Sequence, residues 1–83
     1  MKRAKTKDEM FMIRTYEEAN RRGKIEGAID RYLIGKLAGL HPKAVDTICT
    51  LLLQANFLKK QGPSCVSLTL HGLKLVETLL EEG

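Results

Sequence analysis

The fold is decided by residues 34–45, which read Ile34-Gly35-Lys36-Leu37-Ala38-Gly39-Leu40-His41-Pro42-Lys43-Ala44-Val45. Asp30 is a favourable N-cap for a helix over residues 31–38, and Gly39 suits the left-handed position that ends a helix. Leu40 is expected to point inward from the turn. Pro42 fits the first turn of the next helix, because its missing amide would have no partner there. The stretch therefore predicts two helices joined by a tight turn.

A third helix is predicted before this pair. Thr6 and Glu9 have the spacing of a capping box, in which each side chain satisfies a free amide of the other residue. The helix runs to about Arg22, and Gly23 is suited to end it. Residues 24–29 contain a further glycine, Gly27, and indicate a connection, with a short extended piece expected around Ile25.

The chain after Pro42 predicts a helix to about residue 56, a hairpin and a last helix. The hairpin spans residues 57–68 around a Gly-Pro turn, and Thr69 is the expected cap of a helix that runs through about Glu82. Helical spacing predicts the core face of the helix over residues 42–56 to be Val45, Ile48, Cys49, Leu52 and Asn56. For the last helix, the same spacing predicts a core face made of Leu70, Leu73, Val76 and Leu80.

Charge is distributed unevenly along the 83 residues. Residues 1–60 hold 13 of the 14 Lys and Arg residues but only 7 of the 10 Asp and Glu residues. A basic surface attracts polyanions, although it also serves solubility alone. Residues 1–5 are interpreted as a flexible basic tail and residues 6–83 as one domain. No apolar run approaches the ~20 residues that span a membrane and no signal peptide is evident, so we expect a cytoplasmic protein, nucleoid-associated if bacterial or archaeal.

The sequence offers no recognisable catalytic centre. It has no phosphate-binding glycine loop, no nucleophile elbow and no helical histidine pair for zinc. His41, Cys49, Cys65 and His71 lack the close ligand pairs of structural zinc sites. We therefore expect neither an enzyme nor a bound metal or cofactor.

Three stretches together resemble the winged helix-turn-helix superfamily. They are residues 34–45 quoted above, residues 52–58 (LLQANFL) before the hairpin, and residues 68–72 (LTLHG) after it. The resemblance covers residues 30–80. It implies a mainly α fold with a small β-hairpin wing, in the order helix-helix-helix-strand-strand-helix.

That resemblance implies sequence-specific binding of double-stranded DNA by a transcriptional regulator. The helix over residues 42–56 would enter the major groove and the hairpin would contact the backbone. The residues expected at base edges are Lys43, Thr47, Thr50 and Gln54. Those expected at phosphates are His41, Lys59, Lys60, Lys2, Arg3, Lys5 and Lys7.

Two other interpretations remain open at this point. Leu51 flanks the exposed face of the helix over residues 42–56 and suits a protein contact, so a winged-helix interaction module is the alternative to DNA binding. A basic face also does not distinguish DNA from RNA. A homodimer is expected through the terminal helices, by way of Met10, Phe11, Leu75 and Leu79, unless these residues pack against each other within one chain.

Overall fold

The computed structural model describes residues 4–82. Over this range the chain is mainly helical, with four helices and a small antiparallel sheet. The elements in chain order are α1 Lys7–Arg21, β1 Ile29–Asp30, α2 Arg31–Leu37, α3 Pro42–Gln54, β2 Leu58–Gln61, β3 Cys65–Leu68 and α4 Leu70–Glu82.

Local capping sets the starts of the helices, as the sequence predicts. The Thr6 hydroxyl accepts from the Glu9 amide at 3.3 Å, and the Glu9 carboxylate accepts from the Thr6 amide at 2.9 Å. Asp30 caps α2 by accepting from the Tyr32 amide at 3.0 Å. The Thr69 hydroxyl caps α4 by accepting from the Gly72 amide at 2.9 Å. Each bond satisfies an amide that the first helical turn leaves free.

The ends of α1 and α3 differ in one respect from the prediction. Gly23 has a φ of 79°, as expected for the residue that ends α1. Asn56 also has a positive φ, 64°, so it ends α3 in the left-handed conformation. It is exposed, and the prediction that it belongs to the core face of α3 is wrong. The Phe57 amide then donates back to the Leu52 carbonyl at 2.9 Å and directs the chain into the hairpin.

The sheet has the strand order β1-β3-β2. The hairpin pairs Leu58 with Leu68 and Gln61 with Cys65, while Ile29 of β1 pairs with Val66. The extended piece between α1 and α2 therefore lies at residues 29–30, and the expectation around Ile25 is wrong because that residue is in a turn. A further bond, from the Arg31 amide to the Ser64 carbonyl at 3.0 Å, joins the start of α2 to the hairpin turn.

The core lies between α1, the other helices and the sheet. Phe11, Met12 and Ile13 are all buried although they are consecutive, because α1 packs against α2, α3, α4 and the strands at once. The largest fully buried side chains from the rest of the core include Ile29, Ile34, Leu58, Leu79, Val45, Val66 and Val76.

The buried face of α4 is different from the predicted one. Gly72, Val76 and Leu79 face the core, whereas Leu70 is 71% exposed and Leu80 45% exposed. A β-carbon at Gly72 would lie 2.0 Å from the Phe57 carbonyl oxygen, so the backbone of α4 lies close against Phe57 at this glycine. Leu79 lies on the same face of α4 as Gly72 and is buried, and the assignment of Leu70 and Leu80 to the core is wrong.

The end of α1 carries a compact ion cluster. Glu18, whose side chain is only 6% exposed, accepts from Arg21 at 2.5 and 3.0 Å and from Arg22 at 2.8 Å. These hydrogen bonds, that from Arg21 above all, lower the pKa of Glu18 to about 2.

None of the helices within residues 4–82 is long and apolar enough to cross a bilayer.

Candidate nucleic-acid interface

The outward face of α3 is continuous and polar. Lys43, Thr47, Thr50 and Gln54 are all exposed. The opposite face, made by Val45, Ile48, Cys49 and Leu52, is buried. The two faces follow from the 3.6-residue period of the helix, since the polar residues recur every three or four positions. All four residues expected at base edges thus share one accessible surface.

The two threonines of this face are bonded to their own helix. The Thr47 hydroxyl donates to the Lys43 carbonyl at 3.2 Å, and the Thr50 hydroxyl donates to the Asp46 carbonyl at 2.9 Å. Such bonds occupy the hydroxyl proton and leave the oxygen lone pairs free. Toward solvent, each threonine therefore presents a hydrogen-bond acceptor and a methyl group.

The acid beside this face, Asp46, is held by α2. The Tyr32 hydroxyl donates to its carboxylate at 2.6 Å, and an Arg31 nitrogen lies 3.6 Å from the same oxygen. The Arg31 guanidinium also lies 5.1 Å from the centre of the Tyr32 ring, and its pKa is raised, mainly by the hydrogen bond to Tyr32. This three-residue group joins α2 to α3 and offsets a negative charge at the edge of the polar face. The sequence reasoning missed it, because the two helices meet only in the folded chain.

An open groove of roughly 480 Å³ runs between α3 and the start of α1. Its walls are mostly apolar, and Leu51 beside it is 56% exposed. The remaining lining residues are Lys7, Asp8, Lys43, Ala44, Thr47 and Ile48. The groove therefore combines methyl groups with two lysines and one acid, at the flank of the polar face.

The hairpin and the entrance of α3 place three more predicted residues at the surface. Lys59 and Lys60 are exposed on β2, an edge strand of the sheet. His41 is exposed, and its Nδ1 accepts weakly from the Lys43 amide at 3.4 Å. Lysines on an edge strand also prevent unwanted strand pairing. The position of Lys59 and Lys60 is therefore compatible with this protective role as well as with the predicted phosphate contact.

The basic residues before α1 are not equivalent. Lys2 and Arg3 lie outside the described residues. Lys5 is not part of a loose tail, because its side chain is 18% exposed and its ammonium lies 3.7 Å from a Glu82 carboxylate oxygen. The pair joins the start of α1 to the end of α4. Lys7 is exposed and lines the groove, so it is the described residue of this group that is accessible beside α3.

The structure corrects half of the expected dimer surface. Phe11 is 0% exposed and Leu79 is 1% exposed, because both complete the core of the single chain. Neither has side-chain surface left for a partner. Met10 and Leu75 are partly buried.

The cysteines do not form a reactive centre in the described chain. Cys49 lies in the core of α3, and burial raises the pKa of its thiol to about 11. Cys65 is half-buried in β3. Within residues 4–82, no three His, Cys, Asp or Glu side chains are grouped so that they could hold a metal ion.

Comparison with known proteins identifies a similar solved structure but no family. No family model matches the sequence, and no curated protein matches it. Among solved structures, the crystal structure of RV1404 from Mycobacterium tuberculosis is similar, with a TM-score of 0.63 and 20% sequence identity. The match covers 88% of this chain and 51% of the other, so this chain spans about half the length of that protein. At this identity the likeness concerns the fold alone.

Proposed function

We propose that this chain is a winged helix-turn-helix domain that binds double-stranded DNA and acts as a transcriptional regulator. The observation that carries the proposal is the exposed polar face of α3, with Lys43, Thr47, Thr50 and Gln54 on one accessible surface. An α-helix fits the major groove, and the side chains on its exposed face reach base edges there. α3 is the element that would enter the groove.

The order of the elements supports this proposal. α2 and α3 are joined by the tight turn at Gly39, and a two-stranded hairpin follows α3 directly. In a winged helix that hairpin is the wing, and its lysines contact the phosphate backbone. Lys59 and Lys60 are exposed for this role, and His41 lies at the entrance of α3, where amides of a helix N-terminus attract anions.

The first experiment is a titration of a labelled random duplex of about 24 base pairs, followed by fluorescence anisotropy at several salt concentrations. Binding should weaken steeply with salt, with a log–log slope of about −0.9 per phosphate contacted. The double variant Lys59→Gln/Lys60→Gln should reduce that slope by about 1 to 2. Lys74→Gln, at an exposed lysine of α4, is the matched control and should leave it unchanged. Absence of binding at about 50 mM salt would contradict the proposal.

Base reading by α3 needs a separate test. Gln54→Ala should cost ~1–3 kcal/mol on a preferred duplex and little on random DNA, because a glutamine that reads adenine loses its bidentate contact only where an adenine lies opposite it. An equal loss on both kinds of DNA would remove Gln54 from the base-reading set.

One observation favours a second candidate function, a protein-interaction module. Leu51 is 56% exposed beside an apolar groove, and an exposed leucine suits a protein partner. This function predicts no DNA binding at low salt. It also predicts that the Leu51→Asp protein no longer captures a partner, whereas the Leu37→Asp protein, changed at another exposed leucine, still does.

Phe11 and Leu79 are buried in the core, so a homodimer would need other side chains at its interface. On α4, Leu70 and Leu80 remain exposed and Leu75 is half-buried. Light scattering of the purified protein gives the molar mass directly. A dimer that survives Leu70→Asp and Leu80→Asp would exclude this surface.

A further inference from the structure

The chemistry of the exposed α3 face narrows the kind of DNA it can read. Guanine presents only acceptors, N7 and O6, in the major groove, and it is most often read by arginine. α3 carries no arginine, and Lys43 is its single cation. The donors that could meet guanine on this face are therefore the Lys43 ammonium and the Gln54 amide.

The centre of the face, by contrast, offers methyl groups. The hydroxyl protons of Thr47 and Thr50 are committed to backbone carbonyls, so these residues present acceptors and methyl groups outward. Leu51 lies one helical turn beyond Thr47, is 56% exposed, and continues the apolar surface into the groove. Ala44 adds a further methyl group to the same groove.

An A·T base pair matches these groups on both strands. Thymine presents a 5-methyl group, which binds apolar side chains and threonine methyls, and adenine presents N6 and N7, which fit a glutamine amide. Asp46, which could accept from cytosine N4, is already bonded to Tyr32 and paired with Arg31. Lys7, which lines the groove and is exposed, supplies positive charge for a neighbouring phosphate.

We propose that α3 selects A·T base pairs, with the 5-methyl group of a thymine packed against Thr47 and Leu51. This assignment rests on the proposed DNA binding and goes beyond it by naming the base pair and the atoms that are read.

The test starts with selection from a random library of duplexes of about 24 base pairs, at about 150 mM salt. The recovered duplexes should share a short motif that contains A·T pairs. The best duplex is then prepared again with deoxyuridine in place of deoxythymidine, which removes only the 5-methyl groups. Affinity should fall about four-fold for each methyl group that packs against the protein. Equal affinity for the two duplexes, or a motif made of G·C pairs, would overturn the assignment while leaving DNA binding intact.

Single-residue variants of α3 locate the contact. Thr47→Val keeps the methyl group and should preserve the preference for thymine over uracil, whereas Thr47→Ser removes it and should reduce that preference. Leu51→Ala should also reduce it, and Leu37→Ala, at an exposed leucine of α2, is the control that should not. An unchanged preference in both Thr47→Ser and Leu51→Ala would place the thymine contact elsewhere. Recovery of no DNA, even at about 50 mM salt, would instead contradict the proposed function itself.

Discussion

Replacing Gly72 with alanine tests the packing that positions α4 against the hairpin. Two effects of opposite sign compete at this residue. Gly72 lies inside a helix, where alanine is intrinsically favoured by ~1 kcal/mol. The added β-carbon, however, would lie 2.0 Å from the Phe57 carbonyl oxygen and 3.1 Å from the end of Met12. Ordinary contact begins at 3.4 Å, so α4 or the backbone at Phe57 must move by roughly 1 Å or more.

The contact with Phe57 decides the sign of the net effect. The opposing atom is a backbone oxygen, which cannot rotate away as a side chain can. Overpacking of this kind costs up to about 3 kcal/mol. After the gain in helix propensity, we expect a net loss of about 2 kcal/mol and a melting temperature lower by about 10 °C.

Thermal unfolding followed by circular dichroism measures this change. Lys74→Ala is the matched control, because Lys74 lies on the same helix and is exposed. Its melting temperature should be within about 2 °C of the parent value. A Gly72→Ala protein that melts at a higher temperature than the parent would show that the gain in helix propensity exceeds the cost of overpacking. That result would refute the close approach of α4 to Phe57.

Three further predictions follow from burial and charge. Leu79→Ala should destabilise the protein by ~2–5 kcal/mol and Leu80→Ala by less than about 1, as measured by urea unfolding; equal losses would contradict the observed face of α4. Glu18, whose pKa is lowered to about 2 from an ordinary 4.5, should contribute stability above pH 4.5 and lose that contribution as the pH falls toward 2. The melting temperature should therefore decrease more steeply with falling pH for the parent than for Glu18→Gln, and an equal decrease in both proteins would exclude the effect. Cys65 should react with a thiol reagent before Cys49, whose buried thiol has a pKa of about 11; mass spectrometry of partly labelled protein would contradict this if Cys49 reacted first.

The elements that the sequence predicted well are those with local signals. The capping box at Thr6 and Glu9 and the N-cap at Asp30 depend on residues only two or three positions apart, so composition and spacing suffice. The accessible face of α3 was predictable for the same reason, because a helical period alone separates its polar residues from its apolar ones.

The errors occurred where distant parts of the chain decide the packing. The face of α4 is set by a glycine against the Phe57 carbonyl, and glycine gives no hydrophobic signal. Phe11 is buried because α1 is surrounded by other elements, which widens its buried face beyond one stripe. β1 is too short for an alternating pattern and forms only by pairing with β3. The group that holds Asp46 likewise joins residues from two helices.

The pairing of β1 with β3, and the bond from the Arg31 amide to the Ser64 carbonyl, have a consequence for how the hairpin would meet a ligand. A free two-stranded hairpin is marginally stable in water and would have to be ordered by its ligand, at a cost in backbone entropy. Here that ordering is completed during folding, since a third strand and the start of α2 hold the hairpin at both its edge and its turn. Lys59 and Lys60 are thus carried on a preorganised strand, and only their side-chain rotamers remain to be fixed on contact.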